Sequence, residues 1–186
     1  MREYESLENY EEGEVEVEFV PPATEHRPYL KAESAGTLTV TAQLSVVSGQ
    51  TVTVPFTVSG TASSPADYTI TASPIVIPAG ATSGAITITV ADDALDELDE
   101  TVVVTMGAPG NGTAGGTITH TATITDNDPQ PSMTFTTAAQ SGAENEGTIT
   151  VTAQLSAISG QNVTVPFTVS GTGQPIPPTT RSRRVR

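Results

Sequence analysis

At 186 residues, with 21 carboxylates against seven Lys and Arg and a formal charge of −14, the chain is too acidic to grip a nucleic-acid backbone or an anionic membrane surface, both of which require a basic face. It has no Cys, which excludes disulfides, zinc thiolate sites and thiol nucleophiles, and no Trp, so a core must come from Val, Ile, Leu, Ala and four Phe. No apolar run approaches the ~20 residues of a membrane span, and Met1-Arg2-Glu3-Tyr4-Glu5 lacks the basic and apolar regions of a signal peptide, so no direct membrane insertion is expected.

Residues 1–18 carry eight Glu, and Pro21-Pro22 then breaks the chain. Residues 1–29 are therefore expected to be an acidic, disordered leader. Glu14-Val15-Glu16-Val17-Glu18-Phe19 alternates as a strand would, but a solvated leader is the preferred reading. From residue 30 the alternation is sustained. Leu38, Val40, Ala42 and Leu44 share one face, opposite Thr37, Thr39, Thr41 and Gln43. Val52, Val54, Phe56 and Val58 repeat the pattern, as do Ile86, Ile88 and Val90, then Val102, Val104 and Met106, then Ile118, Ala122 and Ile124 with His120 in phase. Ser48-Gly49, Ser59-Gly60, Pro78-Ala79-Gly80, Pro109-Gly110-Asn111-Gly112 and Gly115-Gly116 supply the turns between them. No segment sustains a 3.6-residue period. Residues 30–130 are thus predicted to be all-β, an antiparallel β-sandwich of about seven strands.

Residues 143–173 nearly repeat residues 32–62 at a displacement of 111: AESAGTLTVTAQLSVVSGQTVTVPFTVSGTA returns as AENEGTITVTAQLSAISGQNVTVPFTVSGTG. A period of that length suits whole domains in tandem better than a solenoid. Residues 131–173 are therefore expected to be an incomplete second copy within a fragment of a longer protein. It would supply about three strands, leaving a Val/Ile face uncovered and an edge exposed. After Gly173 the match fails, and residues 174–186 form a basic tail ending Arg181-Ser182-Arg183-Arg184-Val185-Arg186. Such a tail is a signal for nucleic acid or a membrane surface, but the genetic code offers another origin. Codons for the tail from Pro177, shifted by one base, can spell Ala-Asp-Tyr-Thr-Ile-Thr-Ala-Ser-Pro, the sequence of residues 66–74, at the same displacement. The tail is expected to be out-of-frame translation, which translating the gene in its other frames would check.

Between Ala32 and Thr180 there are twelve carboxylates and no Lys or Arg. Folded surfaces normally intersperse the two signs. Glu33 precedes the first alternating strand and Asp67 precedes Tyr68-Thr69-Ile70. Asp92 and Asp93 follow the Ile86–Val90 strand, and Asp126 and Asp128 follow the last one. Strand ends from separate parts of a sandwich meet at one pole, where converging carboxylates make a hard oxygen site suited to calcium, which takes six to eight oxygens at flexible geometry. The competing reading is a rim of solvated loop acids. For Asp96, Glu97, Asp99 and Glu100 the two readings stand level.

Gly60-Thr61-Ala62, Ala66-Asp67-Tyr68-Thr69, Ile77-Pro78-Ala79-Gly80, Asp92-Asp93 with Glu97 and Asp99-Glu100-Thr101, and Ala122-Thr123-Ile124-Thr125-Asp126-Asn127-Asp128 together resemble the Calx-beta motif. The resemblance covers about residues 30–130 and begins again near 133. It implies an immunoglobulin-like β-sandwich holding calcium at one pole, with Glu33, Asp67, Asp92, Asp93, Asp126 and Asp128 in the positions of the family's acids. Ala94 stands where exchanger domains carry a third consecutive Asp, so one or two weaker sites are expected instead of a larger cluster.

Other motifs fall away. An EF-hand read from Asp92 would have Glu97 in place of its Gly and Val103 in place of its last Glu. The glycine-rich 110–116 segment lacks a phosphate-binding Lys and reads as a hairpin connection. With His26 and His120 as the only histidines, and His120 in phase with a core face, an enzyme is not expected. Asn111-Gly112-Thr113 and Asn162-Val163-Thr164 fit the glycosylation pattern. The expected function is that of a calcium-binding structural or adhesive repeat of an extracellular or cell-surface protein. Its partners would be calcium, neighbouring repeats, and a cell-surface protein or glycan. Rival expectations are a calcium sensor regulating a membrane transporter, an accessory domain of a secreted enzyme, and a passive spacer.

Overall fold

The computed structural model describes residues 15–20, 29–171 and 183–184. They form two compact units: one of the described residues up to Asp92 with Glu100–Thr125, the other of Asp93–Asp99 with those from Asp126 onward.

The strands of the first unit are β1 (Glu16–Val20), β2 (Tyr29–Ala32), β3 (Thr37–Leu44), β4 (Val52–Val54), β5 (Phe56–Gly60), β6 (Tyr68–Ile70), β7 (Ile75–Ile77), β8 (Ser83–Val90), β9 (Glu100–Met106), β10 (Thr113–Ala114) and β11 (Thr119–Thr125). One sheet runs β10-β1-β3-β8-β6, a second β2-β11-β9-β5, and β4 pairs with β7 separately. The all-β sandwich is as the alternation indicates. Leu38, Val40, Ala42 and Leu44 of β3, Ile86, Ile88 and Val90 of β8, and Val102, Val104 and Met106 of β9 are all buried in one core. The intervening Thr residues face outward or lie half-buried, as the two-residue period requires.

Three differences from the sequence reading have physical causes. Glu16–Val20, placed in the leader by sequence, is β1: it pairs antiparallel with β3 (Val17↔Leu44, Phe19↔Ala42) and buries Val17 and Phe19 almost completely. Its Glu residues project from the opposite face, so the charge costs the core nothing. The remaining leader, residues 1–14 and 21–28, lies outside the described residues. The run Val52–Val58 is broken at Pro55, which cannot donate to a ladder; β4 joins β7 while β5 crosses to β9. Ile118, expected in the core face, precedes β11 and is 42% exposed.

His120 is buried, as its phase indicates, with its ring edge-on to Phe19 at a centroid distance of 6.5 Å. Burial pushes its pKa below the ordinary 6.5, because the cation is poorly solvated there. A histidine with a depressed native pKa contributes stability that is fully present above 6.5 and declines as pH falls below it, since the unfolded chain then binds the proton more readily. Urea unfolding should show stability falling from pH 7.5 to 5.5, by at most about 1.4 kcal/mol per pH unit from this group. His120→Leu should flatten that slope; an unchanged slope would place the titration elsewhere.

In the second unit, β12 (Met133–Phe135) pairs antiparallel with β13 (Ala153–Leu155), and β14 (Thr164–Val165) pairs with β15 (Arg183–Arg184). The rest of the basic tail, residues 174–182, 185 and 186, lies outside the described residues, as does the point where the expected frameshift would fall. The register Met133↔Leu155 and Phe135↔Ala153 repeats Val17↔Leu44 and Phe19↔Ala42. Each copy therefore starts with a short apolar strand ahead of the repeat visible in sequence. Near-identical residues end in different environments: Leu38 and Val40 are 6% and 0% exposed, whereas Ile149 and Val151 are 58% and 60% exposed and lie outside any strand. Among the described residues, the second unit has no counterpart of β8 to cover that face. No helix among the described residues is long and apolar enough to cross a membrane.

Candidate metal centre

The hydrogen-bond ladders of the first unit bring four acids to the same end of the sandwich. Glu33 opens a single 3-10 turn, Glu33–Ala35, between β2 and β3. That turn is closed by Gly36 at φ 80°, whose carbonyl accepts the Val90 amide at 2.7 Å where β8 ends. One residue on, the Ala91 amide donates to the Asp67 carbonyl at 2.8 Å, so Asp67 sits beside the exit that leads to Asp92. In the other sheet, Ala32 is paired with Thr125 and Glu100 with Ile124, which puts the start of β9 and the end of β11 at the same pole. Gly60 fixes this end more tightly. At φ 132° it approaches the β9 backbone so closely that an added Cβ would overlap the Thr101 carbonyl.

The individual acids differ in environment. Glu33 is buried and Asp92 is exposed. Asp67 closes its own turn: its Oδ2 accepts from the Ser63 amide at 2.6 Å and from the Ser63 hydroxyl at 2.9 Å. Partial burial pushes the Asp67 carboxyl up, but these two bonds and one with the Glu100 side chain more than offset it and hold the group below its ordinary value. Part of the charge of Asp67 is thus committed to its loop.

The second unit holds the other acids in a linked set. Asp93 Oδ1 accepts the Leu95 amide at 2.8 Å, and Asp126 Oδ1 accepts the Asp128 amide at 3.1 Å. Asp99 Oδ1 accepts the Asp126 amide at 3.2 Å. Asp93 and Asp128 each place a carboxylate oxygen within 4.8 Å of the other. Backbone amides thus hold the Asp93, Asp99 and Asp126 side chains in position with lone pairs remaining, since each ionised carboxylate offers about four acceptor directions. The chemistry of such a set is that of hard, anionic oxygen donors, which fits calcium.

Of the six acids singled out in sequence, Glu33, Asp67 and Asp92 fall at the pole of the first unit, and Asp93, Asp126 and Asp128 in the acidic loops of the second. Two contributors were not singled out. Asp99 holds the Asp126 amide, and Glu100 shares a hydrogen bond with Asp67. The available signal was position: Asp99 stands immediately before a strand, as Asp67 does, and Glu100 opens that strand. Asp96 behaves differently, being buried at 5% exposure and bonded to Ser159, away from any role as a solvated rim acid.

The profile of the Calx-beta domain matches residues 13–130 and again 126–177. The crystal structure of the apo-form Calx CBD1 domain superposes with a TM-score of 0.53 at 24% identity, over 62% of this chain and 99% of that one. The CBD12 structure from CALX1.2 gives 0.52 at 23% identity over 61% of this chain, and the calcium binding domain CBD12 of CALX1.1 gives 0.51 at 24% over 60%. The match spans 44% of each of those two longer chains. At these identities the likeness establishes the sandwich fold. No curated protein matches the chain.

Proposed function

The chain belongs to the Calx-beta domain family, and from that premise we propose that it is a calcium-binding structural or adhesive repeat of a larger extracellular or cell-surface protein. The observation that carries this reading is the set of carboxylates at strand ends, held by backbone amides, in a stretch from Ala32 to Thr180 that contains no Lys or Arg. The proposed ligands are Glu33, Asp67, Asp92, Asp93, Asp126 and Asp128. Asp99 and Glu100 are supporting groups that position Asp126 and Asp67. The name of one similar structure, calcium binding domain CBD12 of CALX1.1, supports both the cation and a neighbouring repeat as partners. The bound ion would neutralise the acids around Asp126-Asn127-Asp128 and stiffen the passage into the second copy. An adhesive role, with a cell-surface protein or glycan as partner, follows only from the tandem organisation.

Calcium titrated calorimetrically into chelator-treated protein should give saturable binding of one or two ions, in the 10⁻⁴–10⁻³ M range of extracellular modules or tighter. Asp93→Asn and Asp126→Asn should each weaken it at least about tenfold, since each removes a formal charge from the cation's surroundings. Absence of saturable heat up to several millimolar calcium would overturn the proposal and leave the passive spacer.

A further inference from the structure

The middle residues of the acidic run, Asp96 and Glu97, are engaged by the second copy. Asp96 is 5% exposed, and its Oδ2 accepts the Ser159 hydroxyl at 2.7 Å. Its carbonyl accepts the Gly160 amide at 3.0 Å, forming an isolated parallel bridge between Asp96 and Ser159. The Gln161 side-chain amide donates to the Glu97 carbonyl at 3.0 Å. Three consecutive residues of the second copy are thus read by two consecutive residues of the first copy's acidic loop, all within the second unit.

The internal repeat supplies its own control. Ser159-Gly160-Gln161 corresponds to Ser48-Gly49-Gln50, and in both turns the serine hydroxyl accepts the amide two residues on, at 3.1 Å. The turn conformation is therefore intrinsic to the triplet, not created by docking. What differs is the surroundings. A Cβ on Gly160 would stand 2.8 Å from Glu97 Oε1 and 2.9 Å from its Cγ, whereas a Cβ on Gly49 would meet nothing within 4 Å.

We propose that Asp96-Glu97 is a socket and Ser-Gly-Gln a key, forming a repeat-to-repeat latch in which the acidic loop of one Calx-beta copy docks the preformed turn of the following copy. The inference goes beyond the calcium reading and does not depend on it: the Asp96 carboxylate and the Glu97 carbonyl are engaged by neutral donors, and neither residue is among the proposed calcium ligands. A larger residue than glycine would displace the Glu97 side chain that lies against its α-carbon. The serine is required because its hydroxyl accepts within the turn while donating outward to Asp96.

The test is hydrogen–deuterium exchange on the full chain, with and without calcium, reading the peptide around residues 157–163. Ser159→Ala and Gly160→Val should each speed exchange of the Gly160 amide by about tenfold or more, through loss of the bridge to Asp96. The paired substitutions Ser48→Ala and Gly49→Val should leave that peptide unchanged. Exchange in β3 and β9 reports whether the first unit stays folded, so loss of the latch is separable from unfolding. Protection that persists in chelator supports a latch independent of calcium. Unprotected Gly160 in the unmodified chain, or equal effects of the 159/160 and 48/49 pairs, would overturn it. Neither of those failures would bear on calcium binding, which the calorimetry reads separately.

Discussion

Saturating calcium should raise the melting temperature of this protein by roughly 10–20 °C over the same sample in chelator. The size follows from mass action: a ligand at about 100 times its dissociation constant that binds only the folded form adds about 2.7 kcal/mol. For a domain of about 100 residues each kcal/mol is worth about 4–8 °C. A second ion would increase the shift. The control is sodium chloride at matched ionic strength, because the run from Asp92 to Glu100 and the pair Asp126 and Asp128 gain from any screening of their mutual repulsion. A calcium shift no larger than the salt shift would show that the acids are a solvated rim after all. Magnesium should do less than calcium, since it dehydrates reluctantly and demands a tighter octahedron than a set of loop carboxylates readily forms. The variants Asp93→Asn and Asp126→Asn should melt at least as high as the unmodified chain in chelator, with less charge to repel, and lose most of the calcium increment. That inversion between the two conditions is hard to obtain from a purely structural defect.

The pole was readable because its parts are set by strand ends, and strand ends are marked by where alternation stops. Glu33, Asp67 and Asp92 each lie within two residues of such a boundary, and the bonds from the Val90 amide to Gly36 and from the Ala91 amide to Asp67 gather them at one end of the first unit. Which way a loop carboxylate points is set by amides that spacing does not reveal. Asp99 and Asp96, three residues apart, therefore looked alike in sequence, though one holds Asp126 and the other is buried against Ser159. β1 was missed for a different reason. Composition weighed the Glu residues of Glu14–Phe19 as a solvated segment, while the two-residue period already placed Val17 and Phe19 on one face. The comparison that would have found it was available: Val17-Glu18-Phe19 and Met133-Thr134-Phe135 stand in the same register ahead of the two copies. Their displacement is 116 instead of 111, so a fixed-period search passes over them.

Phe56→Ala should destabilise the first unit by about 3–5 kcal/mol, and Phe167→Ala, at the same place in the repeated segment Pro-Phe-Thr-Val-Ser-Gly, should cost under about 1 kcal/mol. The local sequence is identical, so propensity and unfolded-state effects largely cancel between the two substitutions. What remains is burial. Phe56 is 9% exposed in β5, which β9 flanks through Phe56↔Met106, and it belongs to the core cluster of the first unit; Phe167 is 41% exposed and lies in no strand. Deleting the ring from Phe56 removes packed contacts on all sides and leaves a cavity, whereas deleting it from Phe167 removes partial contacts that water already shares. Urea unfolding of both variants, followed by far-UV circular dichroism, reads the difference directly. Comparable losses would mean that the second copy covers its Val/Ile face in solution, with Ile149, Val151 and Val169 buried as Leu38 and Val40 are in the first. The near-neutral result at Phe167 instead identifies that face as one whose burial depends on strands equivalent to β8 and β9: the same residues make a core only where the opposing sheet is supplied.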